Sequence, residues 1–462
     1  MRMPIPILSI LLERFTLINL NDEAIGVTGG LAAWLARASY RDLTAQALED
    51  TQRSVLDWLG SALAGAVEPP ALMAQRVVAM LGRSEEATVF ATGRASAAGA
   101  ALANGVASHI LELDDIHKGS TVHAAAPIIP AALAVAEREH ASGRAFLLAV
   151  AVGYEAALRI GEAVNPSHYR YWHPTGTVAT FGAAAAAGSL LKLNASQMQS
   201  ALGSAGTQAA GLWEFNADGS MSKHLHPGKA AFNGVLAADL AREGFTGASR
   251  ILEGDRGFFR AMSERFDASR ITAGLGEKWK ISENCYKLHS CCGHTHSAID
   301  LALELRCAPD DVATIHVETY GPGYEIVRNG APVTSYQAKF SIAYCVAAAL
   351  VDGVVGLAQF QNVGRADLRS LLERTSVTVA DDLTAKYPAA WPARVTITRR
   401  DGTSFTRSAD YPRGNPENAV PTSMLEDKFR ALVGDAVAEG ALRALASLDV
   451  CTDMSEAFSK LL

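Results

Sequence analysis

Residues 109–130 read HILELDDIHKGSTVHAAAPIIP, and this stretch holds three histidines, three acids and a lysine between two apolar segments. Charge clusters usually lie on the surface, so a solvated helix end followed by a turn is the plain alternative. The flanking segments ALANGVA and PIIPAALAVAE, however, are apolar enough to bury both sides of the stretch. We therefore interpret residues 109–130 as the floor of an active site.

The spacing within this stretch suggests how its side chains are arranged. His109, Glu112 and Asp115 follow one another at intervals of three, so they would share one face if the preceding helix continued this far. Pro127 is expected to begin the next helix. His123 then falls at a junction between loop and helix and should point in a different direction from His109.

The composition describes an ordinary folded protein of 462 residues, with 49% hydrophobic and 19% charged residues. A chain of this length can bury a large core and is expected to form two domains. Its net charge of −7 and pI near 6.0 offer no broad basic surface, so we expect neither nucleic acid nor an anionic membrane as a partner. A small anionic substrate would need a local cationic pocket.

Targeting signals are weak. The N-terminal segment MRMPIPILSILLERF has a short apolar run, but Glu13 and Arg14 end it without a convincing cleavage site, so we interpret it as a non-cleaved extension. No uncharged apolar run reaches membrane-spanning length. Six scattered cysteines without a secretory context indicate reduced thiols. We expect a cytoplasmic protein.

The periodicity of apolar residues predicts a mainly α fold. Residues 1–272 are expected to form a large all-helical domain. Its predicted helices include one through Gly105 and others at 42–66, 131–138, 146–163, 177–192, 195–209 and 230–243.

In residues 273–412 the sequence pattern changes from helical periodicity to a mixture of strand and helix patterns. This mixture predicts a smaller α/β lid domain. Alternating, β-branched segments predict strands at 312–320, 376–379, 394–398 and 404–408, with helices at 297–305, 341–352 and 366–373. Asp401-Gly402 should form the turn of a hairpin between the last two strands. Residues 413–462 are predicted to be helical at 423–448 and to return to the first domain.

Three further polar islands interrupt the apolar background, namely YWHPTGT at 171–177, SKHLHPGK at 222–229 and YKLHSCCGHTH at 286–296. The first two should precede helices, where free backbone N–H groups favour a carboxylate. A proline-initiated helix start with a buried histidine is the alternative for the first. The second is the densest cationic cluster of an acidic protein.

The third island contains residue types that bind zinc. Adjacent Cys291-Cys292 and the run His294-Thr295-His296 nevertheless match none of the usual zinc spacings. No glycine fingerprint for a nucleotide appears in a strand-to-helix context. We therefore predict a cofactor-free acid/base role without a metal.

The segment HILELDDIHKGSTVHAAAPIIPAALAVAE resembles the signature of the MmgE/PrpD family, which has an acid, an Asp-Asp pair, Thr-His, and then His-Pro-Ser-Ala-Pro before a helix. The likeness covers nearly the whole chain from about residue 25, including a lid segment at 332–353. It implies a large helical domain, a smaller α/β lid, a cleft between them and a homodimer. Members include 2-methylcitrate dehydratase, cis-aconitate decarboxylase and iminodisuccinate epimerase, which all act beside a carboxylate.

The resemblance also implies site residues. The active-site histidines of the family match His123 and His173, its Lys-x-Leu-His segment matches Lys223 and His226, and its lid lysine matches Lys287. With Tyr286 added, these residues form the predicted catalytic set. The predicted substrate-binding set comprises the acids and further polar residues of the islands: Glu112, Asp114, Asp115, His117, His294 and Thr175.

Two departures from the family pattern bear on the reaction. Ile116 stands where a threonine usually follows the Asp pair, and Ala124-Ala125 replaces the Pro-Ser after the histidine. By similarity the chain is closest to the iminodisuccinate epimerase branch, so we predict epimerisation of this small polycarboxylate. Dehydration of the 2-methylcitrate type and decarboxylation of the cis-aconitate type are the alternatives within the family.

Other classes are weaker interpretations. A metal-dependent hydrolase could use His109, Glu112, Asp115 and His123, and a non-catalytic carboxylate-binding protein would need only the lysines. Binding alone does not require so many titratable groups from separate segments. Proton removal next to a carboxylate, in contrast, requires a base together with cations that stabilise an enolate-like dianion.

Overall fold

The computed structural model describes residues 26–458, and the predicted mainly α fold is confirmed, with 58% helix and 9% strand. The N-terminal segment 1–15, which we interpret as a non-cleaved extension, lies outside the described residues. None of the described helices is both long and apolar enough to cross a bilayer.

The first part of the chain consists mainly of helices joined by short turns. They are α1 Gly26–Arg37, α2 Ala45–Gly65, α3 Pro69–Met80, α4 Ala97–His109, α5 Ala125–Arg138, α6 Gly143–Val164, α7 Pro174–Leu190, α8 Ala195–Gly206, α9 Phe215–Asp218, α10 Ser222–Arg242 and α11 Phe258–Met262. Several begin where the sequence offers a cap: the side chains of Thr44, Ser142 and Asn194 accept hydrogen bonds from the first turns of α2, α6 and α8.

The expectation of an all-helical first domain is wrong in one detail. Strands β1 Ala87–Val89 and β2 Gly93–Ala95 pair antiparallel between α3 and α4. Each has only three residues, which is too short for an alternating pattern to be recognised in the sequence.

Small residues allow α4, α7 and α10 to pack closely, and these helices position most of the polar residues. Helix α10 packs against both α4 and α7. At the crossing of α4 and α10, a Cβ atom on Gly105 would lie only 2.8 Å from the Cα atom of Gly228. The alanine tract of α7, residues 183–187, is fully buried. Packing is therefore the role of this tract.

The second part contains helices α12 His296–Glu304, α13 Gly321–Val327, α14 Ser335–Lys339, α15 Ile342–Asp352, α16 Ala366–Leu372 and α17 Asp381–Thr384, with strands β3 Val312–Thr319, β4 Thr375–Val379, β5 Ala393–Arg399 and β6 Ser404–Ala409. The sheet order is β4-β3-β5-β6; β3 and β4 are parallel and the other pairs antiparallel. The predicted hairpin between β5 and β6 is confirmed, and Gly402 in its turn has a φ of 85°.

The C-terminal helices α18 Thr422–Val433, α19 Asp435–Ala446 and α20 Met454–Ala457 follow the sheet. The predicted helical segment 423–448 is divided at Gly434, whose φ is 79°. Helix α18 packs against α2, and its buried side chains join the large hydrophobic core of the first part. A separate core lies around the sheet. The exact boundaries at residues 272 and 412 stay a prediction.

Gly105→Ala is expected to destabilise the fold by about 1–3 kcal/mol, because the added methyl group would meet the backbone of α10. Urea unfolding measures the change, and Gly330→Ala is the control because nothing lies within 4 Å of the methyl group added there. Equal midpoints for both variants would contradict the close approach of α4 and α10.

Candidate active site

The polar residues of the stretch 109–130 are carried by an irregular loop between α4 and α5. Helix α4 ends at His109, and Glu112 has a left-handed backbone with a φ of 59°. The helix therefore does not continue far enough for His109, Glu112 and Asp115 to share one of its faces. In the loop, Glu112 points to Lys223, and Asp115 points to the start of the next helix. The side chains therefore point in different directions.

Glu112 lies between two lysines from different parts of the chain. Its carboxylate forms an ion pair with Lys223 of α10, and its other oxygen lies 3.5 Å from the Nζ atom of Lys287. All three side chains are at most 2% exposed. Burial opposes ionisation, but the two ammonium groups hold the pKa of Glu112 well below its usual range.

Asp114 pairs with two histidines. Its Oδ2 atom lies 2.6 Å from Nδ1 of His109 and 3.5 Å from Nδ1 of His123. The same nitrogen of His123 lies 2.6 Å from the backbone carbonyl of Asp115 and donates to it. Although burial raises it, the pKa of Asp114 stays below its usual range because of the His109 ring. Asp114 therefore orients both rings.

The Asp115 carboxylate is used inside the protein. One oxygen accepts from the backbone N–H of Ala125 at 3.0 Å, and the other accepts from Tyr154 at 2.5 Å and Asn284 at 2.7 Å. Burial raises the pKa of Asp115 to about 7. These contacts fix the start of α5 just after His123, and they occupy the oxygen atoms that we assigned to substrate binding.

Two further histidines complete the cluster. His173 precedes α7, and its Nδ1 atom lies 3.1 Å from Nδ1 of His226 on α10. Its ring stacks on that of His109 with centroids 5.6 Å apart and contacts Trp213 at 5.0 Å. Thr175 accepts a hydrogen bond from the backbone N–H of His123 at 3.1 Å, so it positions that residue.

The second polar island lies within α10, because the helix begins at Ser222 and not after the island. The helix continues through Pro227 although proline lacks the N–H that a helix interior uses. Close packing of α10 against α4 and α7 holds the helix together through the proline. Lys223 and His226 consequently project from the first two turns of α10.

Burial keeps the imidazole groups of His123, His173 and His226 neutral. It lowers the pKa of His123 to about 3, against the opposing effect of Asp114, and it lowers the pKa of His226 to about 4, assisted by Lys229. The pKa of His173 also falls well below its usual value, through burial and the neighbouring His226. Uncharged imidazoles therefore lie beside charged lysines at neutral pH.

Three residues of the predicted set contact other groups. The Tyr286 hydroxyl lies 3.3 Å from Ser54. The His117 ring is 2.9 Å from the Ser120 hydroxyl and within 4 Å of two glutamates. The Nδ1 atom of His294 lies 2.5 Å from the hydroxyl of Tyr320, and its ring contacts Trp391. Their contacts do not join Tyr286 or His117 to the cluster around Glu112.

Several residues near the cluster escaped sequence reasoning. Lys339 of α14 donates to the carbonyl of Leu111 at 3.0 Å, and Phe340 lies under the ammonium group of Lys223 at 4.7 Å. Lys428 of α18 donates to the carbonyls of both Leu113 and Lys287. A lysine in a helix rarely signals a buried role, so only the lid segment around residue 339 offered a hint.

His109, His123 and His173 offer ring nitrogens that lie within 4.8 Å of one another. Three histidines can hold a zinc ion. The hydrolase alternative could use Glu112 and Asp115 in addition to His109 and His123. The structure directs those carboxylates to the lysines and to the start of α5, so it does not bring that predicted ligand set together.

Comparison with protein families agrees with this arrangement. The model of the MmgE/PrpD N-terminal domain matches residues 29–271, and that of the C-terminal domain matches residues 289–454. The chain belongs to the MmgE/PrpD family. The two matches include the loop after α4, α10 and most of the lid, and Lys287 lies in the short interval between them.

Relatives of known name within the MmgE/PrpD family align over most of the chain. The cis-aconitate decarboxylase of Aspergillus terreus is 27% identical over an alignment of 470 positions, which covers 94% of this chain and 96% of that protein. The cis-aconitate decarboxylase-like protein oryM of Aspergillus oryzae is also 27% identical, covering 93% and 96%. The human cis-aconitate decarboxylase is 27% identical over an alignment that covers 88% of this chain and 87% of the human protein.

Ile116, a departure from the MmgE/PrpD pattern, packs in a small apolar cluster with Trp391 and Tyr320. Its backbone pairs with Cys285, so it joins the loop after α4 to the second part of the chain. Ala125 likewise contributes its backbone N–H to Asp115. The apolar packing explains Ile116, whereas nothing in these contacts explains Ala124-Ala125.

Glu112→Gln is expected to destabilise the protein by about 3–5 kcal/mol, because two buried lysines would lose their counter-charge. Adding Lys223→Met should recover part of this loss, since a single cation then remains. Urea unfolding gives both values. Asp410→Asn is the control: it breaks a half-exposed pair with Lys386 and should cost less than about 1 kcal/mol. A loss for Glu112→Gln no larger than the control would argue against the buried ion triad.

The imidazole groups of His123 and His226 should remain neutral from pH 5 to pH 8. Their pKa values are lowered to about 3 and about 4, so they gain a proton only below that range. Carbon-13 NMR of histidine-labelled protein tests this, with each resonance assigned from a His→Gln variant. A titration midpoint between pH 6 and pH 7 for either residue would disprove the expectation.

Proposed function

We propose that this enzyme of the MmgE/PrpD family moves a proton at a carbon atom next to a carboxylate group of a small polycarboxylate. The observation that carries the proposal is the buried Glu112 between Lys223 and Lys287, beside neutral imidazoles of His123 and His173. Charged cations and uncharged acid/base groups are thereby available within one buried cluster.

The chemistry explains why both kinds of group are needed. When a proton or carbon dioxide leaves the carbon next to a carboxylate, negative charge develops on that carboxylate. Preorganised cations in a water-excluded site stabilise such charge strongly. We assign this role to Lys223 and Lys287, with Glu112 holding both ammonium groups in position. His123, His173 and His226 are the groups that would transfer the proton.

Decarboxylation of a cis-aconitate-like substrate is the specific reaction that we propose first. Its support is the name shared by relatives that align over most of this chain, although identity is only 27%. In this reaction the bond to one carboxylate breaks and carbon dioxide leaves. The electron pair stays on carbon, spreads onto the unsaturated acid, and takes a proton from a side chain.

Epimerisation of iminodisuccinate is the second candidate. It is favoured by the number of histidines from different elements, namely His123 after the loop, His173 before α7 and His226 on α10, since an epimerase needs a base and an acid on opposite faces. The departure at residue 116 supports it less than the sequence suggested, because the Ile116 side chain packs in an apolar cluster. Dehydration of a 2-methylcitrate-type substrate would use the same groups.

A homodimer, a cytoplasmic location and independence of metals also stay predictions. Light scattering of the purified protein tests the oligomeric state. Metal analysis together with activity measured in chelator tests the independence of metals, because an enzyme that needs a metal would lose activity on chelation. His109, His123 and His173 are the nitrogen ligands to which such a result would point.

The deciding experiment uses chelator-treated enzyme in D2O with cis-aconitate, iminodisuccinate and 2-methylcitrate in separate samples, followed by NMR. Loss of carbon dioxide from cis-aconitate with deuterium in the product is the expected result. Interconversion of iminodisuccinate stereoisomers, with deuterium beside the carboxylate, would select the second candidate. No reaction with any of the three would contradict the proposed function.

Lys287→Met should lower kcat/KM for the substrate found in that experiment by roughly 100-fold or more, because one preorganised cation is lost. Circular dichroism checks that the variant is folded. Lys386→Met, which removes a half-exposed lysine on the second part of the chain, is the matched control and should retain wild-type kcat/KM. Equal activity of the two variants would remove Lys287 from the mechanism.

A further inference from the structure

Three histidines beside Asp114 lie close enough to share a metal ion. One ring nitrogen each of His109, His123 and His173 lies within 4.8 Å of the other two. In a tetrahedral zinc site two nitrogens are about 3.4 Å apart, because each Zn–N bond is about 2.0–2.1 Å long. The nitrogens therefore need to approach one another by at most about 1.4 Å. We call these residues the three-histidine cluster.

Hydrogen bonds at one nitrogen of each ring leave the other nitrogen available. Nδ1 of His109 donates to the Asp114 carboxylate at 2.6 Å, and Nδ1 of His123 donates to the backbone carbonyl of Asp115 at 2.6 Å. These oxygens only accept, so in the neutral rings the proton is on Nδ1 and the lone pair is on Nε2. Nδ1 of His173 lies 3.1 Å from Nδ1 of His226, which can accept its proton in the same way.

His109 has the features of a metal ligand. Its Nε2 atom is buried and has no hydrogen-bond partner among the residues that the structure describes, although buried polar groups are normally satisfied. The carboxylate of Asp114 at its Nδ1 is the kind of partner that orients histidine ligands in zinc sites. A tenth of the His123 side chain is exposed, so an ion can reach the three-histidine cluster from that side.

The charges around the three-histidine cluster permit a bound cation. Lys223 and Lys287 oppose it, but both ammonium groups are paired with Glu112. Asp114 is a second negative charge, lies directly behind His109, and has one buried oxygen, Oδ1, without a hydrogen-bond partner in the described part of the chain. Two positive and two negative charges cancel, so an incoming ion meets no net positive charge from these four residues.

A second group of metal-ligating side chains, His117 with Glu162 and Glu283, does not offer a free lone pair. Nζ of Lys280 lies 3.0 Å from a carboxylate oxygen of each glutamate and already supplies the positive charge. Nδ1 of His117 accepts from the backbone N–H of Ser120 at 3.1 Å. The proton of the neutral His117 ring is therefore on Nε2, the atom that faces the two glutamates.

We propose that the Nε2 atoms of His109, His123 and His173 bind a zinc-like dication and that the bound ion inhibits the enzyme. Three histidines satisfy three positions of a tetrahedral zinc ion and leave the fourth for water. A nitrogen that is bound to the metal can neither accept nor deliver a proton. The inhibition rests on the proposed function, which assigns proton transfer to His123 and His173, whereas the binding does not.

Cobalt(II), which occupies zinc sites and absorbs visible light strongly when four-coordinate, tests the binding in full-length enzyme freed of metal and then of chelator. The wild type should show these bands and saturate at one ion per chain, and His109→Gln should lose them. His140→Gln, at a histidine whose side chain is 70% exposed, is the matched control and should keep them. No bands in the wild type, bands kept by His109→Gln, or the near-ultraviolet absorption of cobalt–thiolate bonds would overturn the site.

Asp114→Asn is a second variant that keeps an oxygen able to accept from Nδ1 of His109 but removes the negative charge. Calorimetric titration with zinc chloride should give an affinity roughly tenfold to 100-fold weaker than that of the wild type, because the partner of a ligand is altered. Circular dichroism checks that this variant and His109→Gln are folded. An unchanged zinc affinity in Asp114→Asn would refute this binding mode.

Inhibition by zinc separates this inference from the proposed function. With cis-aconitate as substrate, saturating free zinc should stop most turnover by the wild type and by His140→Gln, and added chelator should restore it. If zinc binds at the three-histidine cluster but no family substrate reacts, the metal site stands and the proposed function is wrong. If cis-aconitate reacts and saturating zinc leaves kcat/KM unchanged, the reaction stands and the inhibitory role is wrong. Loss of activity on chelation would also overturn the inhibitory role, because the ion would then be required.

Discussion

The pairing of the Glu112 carboxylate with Lys223 and Lys287 is the interaction on which the arrangement of the site depends. A buried charge is tolerated only when it is paired, and removing one partner leaves an uncompensated charge at a cost of several kcal/mol. The three residues come from the loop after α4, from α10 and from the segment before α12. Their mutual attraction therefore holds the helical part and the second part together at one point.

The same burial that makes this pairing necessary also separates the roles of the ionisable groups. Desolvation acts on lysine and histidine in the same direction, since it disfavours the charged form of both. The ion pairs compensate Lys223 and Lys287, while His123 and His173 lose their charge. A single buried environment thus holds cations suited to carboxylates beside neutral imidazoles suited to proton transfer.

Sequence patterns predicted what depends on local spacing. The helical periodicity of apolar residues predicted most helices, and the Asp401-Gly402 turn predicted the hairpin. Polar islands in apolar surroundings indicated the segments that meet around Glu112. The left-handed backbone of Glu112 and the inward direction of Lys339 could not be predicted, because contacts with segments more than a hundred residues away determine them. Tyr286 is the opposite case. It lies beside Lys287 in sequence and was predicted to be catalytic, but its hydroxyl lies at Ser54.

Lys428 shows how far such long-range determination extends. From α18 its ammonium group donates to Asp57 of α2 at 2.6 Å, to the carbonyl of Leu113 at 2.6 Å and to the carbonyl of Lys287 at 2.8 Å. All three ammonium protons are therefore used. Two of them bind backbone carbonyl groups, one at the residue after Glu112 and one at Lys287. Because the carbonyl groups cannot shift without losing a buried hydrogen bond, α18 fixes the spacing between the two loops that carry the ion triad. Helix α18 is thus part of the scaffold of the site, although it follows the sheet in sequence.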